Sequence, residues 1–164
     1  LTITLDSVNT DLQNTKASVP TLEEQLFSLV VDSWPNSSGT PITQIPWSIR
    51  TTLLVAPIPL KILSVAASFE YWTLAASDTA YWTGVVEHGT QSAGFTAVAT
   101  RSTQNTGANA NGGVAQRTAW TWDAAVWQDI TYNAGDLMSV SWTPTGSPAP
   151  MVLPVTYTVR YRPA

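Results

Sequence analysis

Apolar residues recur at alternating spacings of four and three over the first thirty positions of the chain. Leu1, Leu5, Val8, Leu12, Thr15, Val19, Leu22, Leu26 and Leu29 all fall in this phase. Side chains three and four apart share one face of an α-helix, and a strict a/d repeat makes a seam too narrow to cover itself. The spacing therefore predicts a helix over 1–31 that associates with copies of itself through Leu5, Val8, Leu12, Val19, Leu22, Leu26 and Leu29. Pro20 interrupts it, because proline lacks an N–H and clashes with the preceding turn. Ser18 and the acids Glu23 and Glu24 give the helix a restart, with negative charge at the positive end of its dipole. The competing readings are a strand at the very start, where Leu1, Ile3 and Leu5 alternate with threonines, and a single amphipathic helix packed on its own domain.

Residues 32–48 are dense in turn formers and predict a linker. From Arg50 onward the period changes to two. Segments 51–56, 60–74, 80–87, 95–102, 115–122, 126–131, 137–142 and 155–162 are rich in Val, Thr, Tyr, Trp and Phe, the residues that suit a pleated sheet. The last segment alternates most cleanly, with Val155, Tyr157, Val159 and Tyr161 on one face and Thr156, Thr158, Arg160 and Arg162 on the other. Prolines and glycines punctuate these runs, and residues 103–113 form a long polar loop. Strands in this number, with no second helical segment, predict a mainly β fold: a jelly-roll β-sandwich over 49–164, preceded by the N-terminal coiled-coil helix.

Charge alters this picture mainly by exclusion. Only 11% of residues are charged and the net charge is −4. The five arginines and two lysines are scattered, so the basic footprint needed for nucleic acid is missing. No apolar run reaches the roughly eighteen residues of a membrane-spanning helix. The chain opens at Leu1 rather than Met, as a processed product or an excised fragment does, and no secretory signal pattern precedes the heptads. There is no cysteine, which removes disulfides and thiolate metal sites. No cofactor and no metal site are expected.

Eight tryptophans stand at positions 34, 47, 72, 82, 120, 122, 127 and 142. Trp120 and Trp122 are two apart and share a sheet face, with Trp127 close behind. Exposed indoles of this kind can stack on the apolar face of a sugar; the competing reading is that they fill the sandwich core. The polar loop offers Asn105, Asn109 and Asn111 as partners for sugar hydroxyls. Catalytic constellations are weak. His88 is the sole histidine, no Gly-x-Ser-x-Gly elbow is present, and Glu70 with Glu87 is a pairing of acids that any sandwich could offer. The chain is therefore expected not to be an enzyme.

The run Ala134-Gly135-Asp136 leads an alternating strand to Trp142, a Pro-rich hairpin follows through Pro148, and Val155–Tyr161 closes the sheet. With a self-associating segment in front, this resembles the trimeric jelly-roll heads of the complement C1q and tumour-necrosis-factor type. It is similar also to heads of bacteriophage tail fibres and to phage capsid decoration proteins. The resemblance implies a homotrimer located in the virion, in contact with other virion proteins. It implies either a receptor-binding role toward host-surface glycan, with no insertion into a membrane, or a decoration role on a capsid. A carbohydrate-binding module is the remaining alternative.

Overall fold

The structure is a computed structural model and describes residues 25–32, 34–35, 41–42, 44–90, 92–122 and 130–164. Every regular element among them is a β-strand, and all strand pairs are antiparallel. The main strands are β1 (Gln25–Val31), β5 (Ile49–Val55), β6 (Leu60–Phe69), β7 (Tyr81–Thr90), β8 (Gly94–Ser102), β9 (Ala119–Thr121), β10 (Thr131–Tyr132), β11 (Leu137–Thr145) and β13 (Val155–Pro163). Short pairs come from the segment between β1 and β5. There β2 (Trp34–Pro35) meets β3 (Pro41–Ile42), and β4 (Gln44–Ile45) meets β12 (Met151–Val152).

Two sheets face each other. The first has the order β1-β13-β6-β10, with β9 also paired to β6, and the second has the order β5-β11-β7-β8. The pairing is nested. β7 joins β8 as a hairpin, β6 pairs with β9 and β10, β5 pairs with β11, and β1 pairs with β13. The chain thus runs as one long double strand folded at β7–β8. Two further pairings, β11 with β7 and β13 with β6, roll that double strand into a sandwich.

Alternation decides what goes inside. In β13, Val155, Tyr157 and Val159 are buried while Thr156 and Thr158 are only partly covered, as the sequence pattern predicts. In β6 the buried set is Leu60 and Ile62, then Val65, Ala67 and Phe69. The phase slips by one because Leu63 is an extra residue opposite β13, where Ser64 pairs with Arg160 and Ile62 with Tyr161. An extra residue in one strand turns every later side chain to the other face unless the burial pattern slips with it.

The core between the sheets is aromatic. Trp72, Trp82, Trp120, Trp122 and Trp142 are all buried. Trp142 sits in the middle, with ring centroids 5.1 Å from Trp120, 5.6 Å from Trp122 and 5.6 Å from Phe69. Its indole N–H donates to Tyr157 Oη at 2.9 Å, which ties β11 of one sheet to β13 of the other. The Trp122 indole donates to the carbonyl of Gly84 at 2.9 Å, and that of Trp82 to the carbonyl of Ala149 at 3.0 Å. Trp72 and Trp120 have no acceptor for the indole N–H among the described residues, so they contribute through area and ring contacts.

The expected helix over 1–31 is corrected where the chain is described. Residues 25–31 form β1, paired with β13 from Gln25↔Tyr161 to Val31↔Val155. Three-residue spacing places Leu26 and Leu29 on one face of a helix but on opposite faces of a strand. Leu29 accordingly packs against the core with Phe27 and Val31, whereas Leu26 is 64% exposed. The physical reason is local. Gln-Leu-Phe-Ser-Leu-Val-Val also alternates with period two, and tertiary pairing overrides a helical phase that two leucines alone support. Leu5, Val8, Leu12, Val19 and Leu22 lie outside the described residues.

Gly84 faces the core between Trp82 and Val86, and a Cβ there would lie 2.8–2.9 Å from the rings of Trp142 and Trp122. Gly84→Ala is therefore expected to lower stability by roughly 1–3 kcal/mol through overpacking. The outward-facing control Thr83→Ala should stay within about 0.5 kcal/mol. Equilibrium urea unfolding of both variants checks this.

Candidate functional site

The outer face of the second sheet is not a plain carpet of hydroxyl side chains. Arg50, at the start of β5, reaches toward Glu87 on β7. Its Nε donates to Oε2 at 2.6 Å and its Nη2 to Oε1 at 2.9 Å, a bidentate fork. Ser141 on β11, the strand between them, donates its Oγ to Glu87 Oε1 at 3.0 Å. The Arg50 guanidinium also lies 4.4 Å above the ring of Phe95 on β8. Phe95 can lie flat because its cross-strand partner is Gly89, where a Cβ would come within 2.6 Å of the ring.

Two register shifts fall at this level of the sheet. Leu53 is an extra residue of β5 opposite Met138–Ser139, and Val98 is an extra residue of β8 opposite Val86–Glu87. Ser139 and Glu87 are themselves cross-strand partners, so a bulge flanks this pair on each side. Bulges bend a strand and re-aim its side chains. The result is a groove of about 500 Å³. Ser48, Ile49 and Arg50 line it from β5 and its approach, with Ser141 and Thr143 from β11. Val85 and Glu87 of β7 and Ala97 of β8 complete the lining. Glu87 faces outward yet its side chain is only 10% exposed, while that of Arg50 is 48% exposed. The carboxylate hydrogen bond raises the Arg50 pKa above its already high value, so the arginine stays charged. Trp47, one residue before the groove-lining Ser48, is 47% exposed.

A second polar cluster closes one end of the sandwich. His88 Nε2 lies 2.8 Å from Asp136 Oδ2, which also accepts the backbone N–H of Asn133 at 2.8 Å. The His88 hydrogen bond holds the Asp136 carboxyl below its ordinary value; partial burial opposes this and the Asn133 N–H supports it. The carboxylate is thus ionised and only accepts, so Nε2 carries the proton. The Tyr132 ring packs tilted against His88 with centroids 4.3 Å apart, and burial, with the Asp136 charge second, pushes its hydroxyl well above the usual tyrosine range. The cluster fixes the Gly-Asp turn that leads into β11, where Asp136 N donates to Asn133 O at 3.0 Å.

The residues expected from sequence to bind a ligand are placed differently. Trp120 and Trp122 do share a face, but it is the inner one; they are 5% and 1% exposed, so neither offers a ring to a sugar. Trp127 lies outside the described residues. Asn105 and Asn109 are exposed on the 103–113 loop and Asn111 is half-buried. The Asn109 carbonyl accepts Ser102 N–H at 2.7 Å, Asn111 N donates back to Ser102 O at 2.9 Å, and Asn111 Oδ1 accepts from Arg101 at 3.3 Å. This loop is therefore anchored to the end of β8, and none of the three asparagines lines the groove. Glu70 and Glu87 do not form an acid pair, since Glu70 binds Arg117 and Glu87 binds Arg50. Among the described residues no group of three His, Asp or Glu side chains is placed to hold a metal ion.

The Arg50–Glu87–Phe95 arrangement was not anticipated. Its signal lay in the rarity of charge: with 11% charged residues, an acid inside a strand and a base at the start of another are conspicuous.

No family model matches the chain, and no curated protein matches it. Among solved structures it is similar to a chain in the structure of infectious bursal disease virus Gx strain. The identity there is 13% and the TM-score 0.28, covering 86% of this chain and 37% of the viral one. The structure of the Gt strain of the same virus gives 15% identity and a TM-score of 0.24, over 85% of this chain and 36% of the other. The chain spans little more than a third of the length of the viral chains it matches. Likeness of this degree assigns no function.

Asp136 yields a pH prediction. Its folded pKa lies below the ordinary value of about 3.8. The stability it contributes is therefore fully present above that pH and lost as pH falls through the folded pKa. Asp136→Asn should cost about 1–3 kcal/mol near neutrality, and the gap to the parent should close as the medium is acidified. Thermal unfolding followed from neutral pH down to about pH 2 reads this directly; a gap that widens in acid would reverse the assignment.

Proposed function

We propose that this chain is a bacteriophage virion structural protein whose β-sandwich is a trimeric head contacting host-surface glycan. The observation that carries the reading is the nested pairing of strands. A long antiparallel double strand rolled into two facing sheets is the winding of a jelly roll, an architecture used by viral capsid and lectin domains. Fold analogy alone does not give function, so the outer surface must bear the argument further. One sheet carries a polar groove of small-ligand size, which suits contact with a glycan. Three copies on one particle multiply a weak single-site affinity through effective concentration.

The runner-up is a decoration protein seated on a capsid. It is favoured by β1, an edge strand with an unbroken register whose outward Leu26 and Val30 are 64% and 50% exposed. Apolar side chains on a strand that is at the sheet edge among the described residues suit docking onto another protein chain. A carbohydrate-binding module remains as a third reading, with the same groove as its site.

Light scattering on the purified protein should give three times the 17.6 kDa chain mass at micromolar concentration; a monomer would remove the trimer. Cross-linking and mass spectrometry of purified virions should place the chain at the tail for the receptor reading and on the capsid for decoration. Virions lacking the chain would end both.

A further inference from the structure

We infer that the groove on the outer face of the β5-β11-β7-β8 sheet is a binding site for a neutral saccharide, with the Arg50–Glu87 pair as its polar clamp. The inference rests on the glycan-contacting reading above and names its site and ligand class. It moves the sugar site away from Trp120 and Trp122, which are buried in the core.

Charge selects the ligand. The groove holds one cation and one anion joined by a fork, so its charges cancel within it. An anionic ligand would be repelled by the Glu87 carboxylate, and a cationic one by the Arg50 guanidinium. A ligand rich in hydroxyls is repelled by neither. It can accept from the guanidinium N–H groups that Glu87 leaves unused, since the fork engages only Nε and Nη2, and arginine has five donors in all. It can donate to the carboxylate lone pairs and to the hydroxyls of Ser48 and Thr143. Ser141 gives its proton to Glu87 and so presents its own lone pairs outward.

Shape and apolar surface agree with charge. Val85 and Ala97 give the groove short apolar side chains, which suit the C–H face of a pyranose. The volume of about 500 Å³ lies inside the ~300–1,000 Å³ span of small-molecule sites. The clamp is also fixed in advance. Arg50 is held by Glu87 on one side and Phe95 on the other, so little side-chain entropy remains to be lost on binding. An ion pair that served only to stitch strands would contribute about 0–1 kcal/mol at a surface. That role needs neither the flat Phe95 over Gly89 nor the twin bulges that open the depression beside it.

The test is an array of neutral hexose, deoxyhexose and N-acetylhexosamine oligosaccharides beside uronate- and sialate-bearing ones, probed with the intact protein. The best neutral binder is then titrated by calorimetry against the parent chain and two variants. Ala97→Phe fills the groove from an exposed position on an edge strand and should weaken binding at least tenfold. Arg50→Met, which leaves Glu87 without its partner, should abolish binding; circular dichroism and melting verify that it is folded, and Ala97→Phe decides the matter if it is not. Absence of any neutral binder, binding confined to acidic glycans, or affinity unchanged in Ala97→Phe would each overturn the inference. The two readings fail separately. Saccharide binding by a chain missing from virions would sink the virion reading alone, and a virion chain that binds no neutral saccharide would sink the groove alone.

Discussion

Five buried indoles set the terms for the rest of this molecule. Each must find room between two sheets, and an indole N–H is a donor that burial leaves needing an acceptor. Trp142 meets both demands from the centre, touching three aromatic neighbours and reaching Tyr157 in the opposite sheet. Its neighbour Trp122 takes its acceptor from the Gly84 backbone, at the residue whose missing Cβ makes room for both rings. Large side chains and the gaps that admit them are thus matched across strands. Burial of the Tyr157 hydroxyl, which raises its pKa despite the Trp142 hydrogen bond, follows from the same arrangement.

With most of the aromatic volume inside, small and polar residues cover much of the outer surface, although Leu26 and Val30 of the first sheet stay exposed. On the second sheet that default is broken in one place. Bulges in β5 and β8 bracket the Ser139–Glu87 pair. Thr52 and Ser139 share a hydroxyl contact at 3.1 Å beside it, and Ser139 is fully buried. A depression, a fork and an arginine over an aromatic ring lie together beside this irregularity. The edge strands gain from it too, since a bulged edge is a poor template for pairing with another chain.

Much of the sandwich was legible in the sequence, and the reasons are specific. Period-two alternation located β13, β7, β8 and β11 to within three residues of their ends. The placement of Trp120 and Trp122 on one sheet face was also legible, but not that this face is the inner one. What was not legible depends on contacts across the fold. The 3–4 phase at Leu26 and Leu29 is compatible with helix or strand until the partner β13 is known. The Arg50–Glu87 fork joins positions thirty-seven apart and His88–Asp136 joins positions forty-eight apart. Neither pair carries a local spacing rule, so only the strand register brings them together.

The nested pairing also dictates an order of assembly in time. Gln25 stands opposite Tyr161, and their side chains meet across 136 positions of sequence. The β7–β8 hairpin can close while the chain is still short, but the outermost rung needs both ends. Each successive rung encloses a longer loop, although its entropy cost grows only with the logarithm of loop length. A topology of this contact order belongs among the slow, millisecond-to-second folders. Until β13, nine residues long, leaves the ribosome, β1 lacks the partner it has in the fold, and Phe27, Leu29 and Val31 lack the core they cover there. During synthesis the apolar strand β1 thus waits for a partner that lies far along the chain.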